Sequence, residues 1–211
     1  MQQSRKKKRE PFLTTITGFL PHDGKKLSVP LLIKALKDGL NVGADFTTGI
    51  GLLGLQSSPN PLGATFDLND LDQHNFPIEH DASLSREDAF MGNDYAFNQN
   101  VFNQVLAYYE GMEETSIPVA SKARYNRVEN ARAANPEFIY GVRQLVLSTG
   151  ETALYLSTMG DPVTGVAPVK YVKSLFGKSV DRTASPLLLL LVRRLLTDCT
   201  EKERLPYELG W

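Results

Sequence analysis

Several segments between residues 28 and 159 carry apolar residues at helical spacing, and no stretch alternates convincingly apolar with polar as a half-buried strand must. The chain therefore reads as a mainly helical domain. Ser28 has the chemistry of an N-cap, Pro30 is tolerated in a first turn, and Leu32, Ile33, Leu36 and Leu40 share a face. Residues 44–55 are apolar, with four glycines from Gly43 to Gly54. Small residues there let either a neighbouring helix or a flat cofactor approach the backbone. Residues 98–110 group Val101, Val105, Leu106 and Tyr109, and 117–134 is a more polar helix rich in Arg and Asn. Asn135-Pro136-Glu137 reads as a helix start for 138–147, cap then proline. Ser148-Thr149-Gly150 then breaks the pattern, Glu151 opens a run to Met159, and Gly160-Asp161-Pro162 ends it.

Composition excludes several classes of function. With 211 residues, 42% hydrophobic and 22% charged, the chain has the make-up of one globular domain with a sizeable core. A net charge of −1 gives no electrostatic reason to expect nucleic acid as a partner. Cys199 is the sole cysteine, so no intrachain disulfide forms. His22, His74 and His80 lack zinc spacing, and Gly49-Ile50-Gly51 is neither a Walker loop nor a dinucleotide fingerprint. Leu187 to Leu191 with Val192 falls far short of the ~20 apolar residues of a membrane span. Residues 1–10, with Arg5-Lys6-Lys7-Lys8-Arg9, read as a basic disordered tail rather than a signal peptide, which leaves the compartment open.

The chemistry concentrates in Glu79-His80-Asp81-Ala82-Ser83. If this segment is helical, Glu79 and Ser83 share a face and His80 points about 100° away. Oxygen ligands for a hard cation, Mg²⁺ or Mn²⁺, then lie on one side and an acid–base group on the other, with Asp81 able to orient the His80 ring. The competing reading is a solvated loop leading into a helix capped by Ser85, with Asp88 at its third position.

Together with Asp70-Leu71, His74-Asn75 and Leu84-Ser85-Arg86, this motif resembles the signature of the fungal haem-thiolate peroxidases, the family of chloroperoxidase and the short unspecific peroxygenases. Gly18-Phe19-Leu20-Pro21-His22-Asp23-Gly24, Gly150-Glu151-Thr152-Ala153-Leu154-Tyr155 and Arg204-Leu205-Pro206-Tyr207-Glu208-Leu209-Gly210-Trp211 resemble its early, distal and C-terminal segments. The resemblance implies an all-α domain over 11–211 of the chloroperoxidase type, built around a haem b pocket, that uses H₂O₂ to oxidise small organic substrates. It makes Glu151 the distal acid–base residue, His80 its partner and Asp81 the group holding the imidazole. It also assigns the side chains of Glu79 and Ser83, with the His80 carbonyl, to Mg²⁺ or Mn²⁺ beside a haem propionate. Read without the family, Glu151 is a first-turn glutamate favoured by the helix dipole.

Two stretches depart from the family. Its Pro-Cys-Pro precedes the Gly-Phe-Leu-Pro segment, whereas an ungapped count here puts Lys8 at the cysteine, and alignment on Pro11-Phe12-Leu13 puts Glu10 there. Neither supplies the thiolate whose electron push assists O–O cleavage, so the family activity is expected to be impaired. The alternative is a silent relative whose helical pocket binds a small ligand or a partner. Residues 177–201 form an atypical insertion that reads as retained intron sequence, since Gly177-Lys178-Ser179 can be encoded across a splice donor.

Overall fold

The computed structural model describes residues 19–21, 23–94 and 96–176. Among them lie six α-helices and one two-stranded ladder of two residues per strand, so the chain is all-α in class. Its contacts divide into two compact units, residues 1–73 and 74–211. The expectations for Lys8, Glu10, the basic tail and the 177–201 insertion lie outside the described residues.

In the first unit, α1 (Val29–Leu40) and α2 (Ala44–Ser57) pack together. Ser28 caps α1 as its chemistry predicts, its Oγ accepting from the Leu31 N–H at 3.4 Å. Leu32, Ala35 and Leu36 face inward, and Asn41 ends the helix in the left-handed conformation. Two of the α2 glycines have a packing reason. A Cβ on Gly51 would stand 3.1 Å from Val29 Cγ2, and one on Gly54 would meet the Phe66 ring at 2.6 Å. Phe66 joins the core of Leu20, Leu27, Leu32 and Ala35, held by reciprocal backbone hydrogen bonds with Leu27 at 2.8 and 3.0 Å.

The second unit holds α3 (Gln99–Leu106), α4 (Ile117–Ala134), α5 (Val142–Met159) and α6 (Val169–Phe176). Strands β1 (Glu114–Thr115) and β2 (Ala167–Pro168) pair antiparallel, too short to leave a pattern in the sequence. Asn98 caps α3, accepting from Asn100 and Val101 N–H, and Val101, Phe102 and Val105 are buried. Tyr109 and Tyr155 meet hydroxyl to hydroxyl at 2.9 Å inside this unit, and burial pushes both phenols up.

Three local expectations are corrected. Asn135 ends α4 instead of starting a helix: its N–H donates to Ala131 O at 2.8 Å, and the next helix begins at Val142. Its Oδ1 does accept locally, from Glu137 N–H at 2.9 Å, but only a turn follows, and its Nδ2 goes to long-range partners. Ser148-Thr149-Gly150 does not interrupt α5. Ser148 Oγ donates to Leu145 O at 3.3 Å and Thr152 Oγ1 to Ser148 O at 2.8 Å, so these hydroxyls bond within the helix. Glu151 is therefore mid-helix, and the first-turn dipole explanation for it lapses. Finally, residues 77–88 form neither a helix nor a solvated loop before a Ser85 cap; they form an irregular segment in which His80, Asp81, Ala82, Leu84, Ser85 and Asp88 are buried.

Candidate active site

A buried irregular segment must find partners for its backbone polar groups away from secondary structure. Here two arginines of α4 supply them. Arg124 Nη1 donates to Ala82 O at 2.9 Å, and Arg127 Nε donates to Ser83 O at 2.8 Å. Arg127 Nη2 reaches Arg86 O at 3.3 Å and Asp88 Oδ1 at 2.8 Å. From α5, Arg143 donates to Pro77 O at 3.3 Å and to Asn75 O. Asn75 and Ala82 both hold left-handed φ angles, 58° and 65°. Asparagine tolerates that conformation, whereas alanine is strained in it by roughly 1–2 kcal/mol. At Ala82 the cost is offset by fixed contacts on both sides, since its carbonyl takes Arg124 and its N–H donates to Asp88 Oδ1 at 3.0 Å.

The turn at Ala82 leaves His80 inside, its side chain 4% exposed. His80 Nδ1 lies 2.5 Å from the carbonyl oxygen of Asp81. A carbonyl only accepts, so Nδ1 carries a proton and Nε2 is the atom free for chemistry. Nε2 has no hydrogen-bond partner among the described residues, and it faces Glu151 Oε1 at 3.5 Å. Tyr140 packs its ring edge-on to the imidazole, with centroids 6.3 Å apart.

Glu151 sits across from His80 with its side chain 49% exposed. Its other oxygen, Oε2, lies 3.4 Å from Arg124 Nη2. Desolvation opposes ionisation of this carboxyl, but the His80 contact and the Arg124 charge outweigh it and hold Glu151 below the usual carboxylate range. For His80 burial works against the cation, and the Glu151 contact outweighs it, so the imidazole is pushed up. Both directions describe one proton held on the imidazole side of the pair.

Asp81 touches the His80 ring through its main chain. Its buried carboxylate turns elsewhere: Oδ1 accepts from Ala89 N–H at 3.3 Å and Oδ2 from Asn135 Nδ2 at 3.2 Å. The same Asn135 amide donates to Asp88 Oδ2 at 3.2 Å, bridging two buried carboxylates. Burial and the neighbouring Asp88 charge push the Asp81 carboxyl up.

The expected cation ligands are partly engaged. Glu79 Oε2 lies 2.7 Å from His74 Nδ1 and accepts from Asn75 N–H at 3.0 Å, while Ser83 Oγ accepts from Ser85 N–H at 3.4 Å. Ligand atoms of His74, Glu79 and Asp94 lie within 4.8 Å of one another. With no helix here, the four-residue spacing of Glu79 and Ser83 does not set them on a helical face.

Sequence reasoning missed Arg124, Arg127, Asn135 and Asp88. The signal was present: Arg124 and Arg127 share a face of α4 with buried Ala120, Ala123, Val128 and Ala131, so the arginines point inward.

A model of the family described as Peroxidase, family 2, matches residues 16–211. The chain belongs to that family. This is the haem-thiolate peroxidase family to which the motifs point. An aromatic peroxygenase of Cyclocybe aegerita is 30% identical over 164 residues, covering 67% of this chain and 43% of that protein. An aromatic peroxygenase of Coprinellus radians is 31% identical over 150 residues, covering 61% of this chain and 56% of its own length. The family-2 chain thus spans about half the length of these curated relatives. Among its described residues, no helix is long and apolar enough to cross a membrane.

Proposed function

We propose that His80, Glu151 and Arg124 form the distal side of a peroxide-activating site acting with H₂O₂ on small organic substrates. The observation that carries this reading is a half-exposed carboxylate placed between a buried imidazole with an unpartnered Nε2 and a buried guanidinium. That orphaned nitrogen beside an accessible acid fits the distal side of haem b. Haem, when bound, supplies the iron at which the peroxide O–O bond breaks.

The protein's own part is to move one proton. Glu151, held ionised by its neighbours, takes the proton from the peroxide hydroxyl and returns it to the leaving oxygen as water. His80 cannot turn to solvent, because Nδ1 is tied to the Asp81 carbonyl, so its Nε2 stays directed at Glu151. In this reading Asp81 serves through its main chain. Glu79, Ser83 and the His80 carbonyl would offer hard oxygen ligands to Mg²⁺ or Mn²⁺.

These 211 residues carry no thiol apart from Cys199, so as they stand they are expected to turn over little peroxide. That observation also favours a second reading, a silent relative that keeps the pocket for ligand binding. Haem content of the purified chain separates the two. The acid–base assignment is tested in a version given a Pro-Cys-Pro leader ahead of Gly18. There, Glu151→Gln should cut peroxide turnover by about 10²–10⁴-fold, a usual range for loss of general acid–base catalysis, with haem uptake intact. Unchanged turnover would make Glu151 structural.

A further inference from the structure

The contact between Glu151 and His80 does not hold itself in place. At 3.5 Å, with no hydrogen bond to Nε2, it is a charge contact, and the half-exposed glutamate has rotamers open to it in solvent. Something else must select the rotamer that keeps the carboxylate at the imidazole.

We propose that Arg124 is a positioning residue for the acid–base pair, fixing the Glu151 rotamer and the His80 segment from one rigid guanidinium. This rests on the reading of Glu151 and His80 as that pair. Its three contacts go to three acceptors on two pieces of the chain, the segment after His80 and the helix α5. Nη1 donates to Ala82 O at 2.9 Å, on the turn that follows His80 and Asp81. Nε donates to Thr152 Oγ1 at 3.2 Å, on the helix that carries Glu151. Nη2 donates to Glu151 Oε2 at 3.4 Å, the oxygen turned away from His80. A guanidinium presents its N–H groups in one plane at fixed angles, so anchoring two of them determines where the third points. Thr152 Oγ1 is itself fixed, since its own proton goes to Ser148 O at 2.8 Å. Arg124 is buried, with a side chain 9% exposed, and Glu151 is the carboxylate it meets. Removing it takes the hydrogen-bond donor from Glu151 Oε2, leaving the carboxylate only the charges of His80 and Arg86, and leaves the strained Ala82 carbonyl without its donor. Lysine, a point charge on a flexible stem, can reach one of these acceptors but cannot fix all three.

The test is a set of crystal structures of the full chain: wild type, Arg124→Lys, Arg124→Ala, and Arg124→Ala soaked with guanidinium chloride. In Arg124→Ala the Glu151 carboxylate should leave His80 Nε2 for solvent. Guanidinium filling the void should bring it back, and Arg124→Lys should hold it incompletely. A carboxylate still at His80 in Arg124→Ala overturns the proposal, as does guanidinium bound in the void without its return. If Arg124→Ala does not fold, Thr152→Val removes the Nε acceptor at constant shape. Glu151 should then be displaced, and an unmoved carboxylate overturns the proposal equally. In the version with the Pro-Cys-Pro leader, Arg124→Ala should lower kcat about 10²-fold, with KM for the organic substrate unchanged and kcat recovered on adding guanidinium. A rise in KM alone, or no recovery with the ion bound, counts against it. Unchanged turnover in Glu151→Gln would instead sink the acid–base reading and leave the positioning geometry standing.

Discussion

Arg127 and Asp88 form an ion pair at 2.8 Å in which both side chains are almost wholly buried, 6% and 3% exposed. Both members have further hydrogen bonds. Asp88 Oδ1 also accepts from Ala82 N–H and Oδ2 from Asn135 Nδ2, while Arg127 binds the carbonyls of Ser83 and Arg86. Breaking a buried pair from one side leaves an uncompensated charge, which costs about 3–5 kcal/mol. Arg127→Met should therefore lower the unfolding free energy by about that amount in urea titrations, because Asp88 and two carbonyls lose their donors together. A loss below about 1 kcal/mol, the range of an exposed pair, would show that the segment does not depend on this clasp.

The His80–Glu151 pair sets a pH dependence with two limits. Glu151 is held below its unfolded value of about 4.3, so its contribution is present above that pH and lost as pH falls through the folded pKa. His80 is held above its unfolded value of about 6.5, so its contribution is present below that pH and lost as pH rises through the folded pKa. Together they stabilise most between roughly pH 4.5 and 6.5. Asp81 works the other way on the acid side: its raised carboxyl favours the folded state at low pH and loses that contribution as pH rises. Urea midpoints measured from about pH 3 to 8 should form a dome for the wild type, with a flatter alkaline limb for Glu151→Gln. Identical profiles would mean the two side chains are uncoupled in solution.

How much of this could be read from the sequence depends on how far apart the partners lie. α1 and α3 were legible because caps and periodicity act within a few residues, as Ser28 with Leu31 and the shared face of Val101 and Val105. The membership of Glu79, His80, Asp81 and Glu151 in one region rested on family likeness, since Glu151 lies 71 residues after His80 and no spacing rule connects them. What was lost was whatever long-range partners decide. Asn135 keeps its cap-like bond to Glu137 N–H, but no spacing reveals that its Nδ2 reaches Asp81 and Asp88, 54 and 47 residues away. The alanines that share their face show that Arg124 and Arg127 of α4 point inward, but not that they meet the carbonyls of 82, 83 and 86. The Ser148-Thr149-Gly150 break was a local inference overridden by a long helix packed on one face.

The cation proposal yields a choice between ligand sets. Mg²⁺ and Mn²⁺ prefer hard oxygen donors, which favours Glu79, Ser83 and the His80 carbonyl over the His74–Glu79–Asp94 grouping. Elemental analysis of the purified chain should show less bound Mg²⁺ or Mn²⁺ in Glu79→Ala and Ser83→Ala, and no change in His74→Ala. Loss of metal in His74→Ala would move the site to the imidazole, and metal unaffected by Glu79→Ala would remove that carboxylate from either set.

Gly150 occupies an interior position of α5 immediately before Glu151. Among the described residues nothing lies within 4 Å of where its Cβ would be. No close packing or left-handed backbone calls for glycine there, in contrast to Gly54 against Phe66. Interior glycine costs a helix about 1 kcal/mol relative to alanine, through the backbone entropy of the unfolded chain. Gly150→Ala should therefore stabilise the protein by roughly 0.5–1 kcal/mol, raising the thermal midpoint by about 1–4 °C in a chain of this size. The gain should appear without haem, since it arises from helix propensity alone. Destabilisation in the haem-free protein would show that residue 150 is in contact with part of the chain, and that its open surroundings are closed in solution.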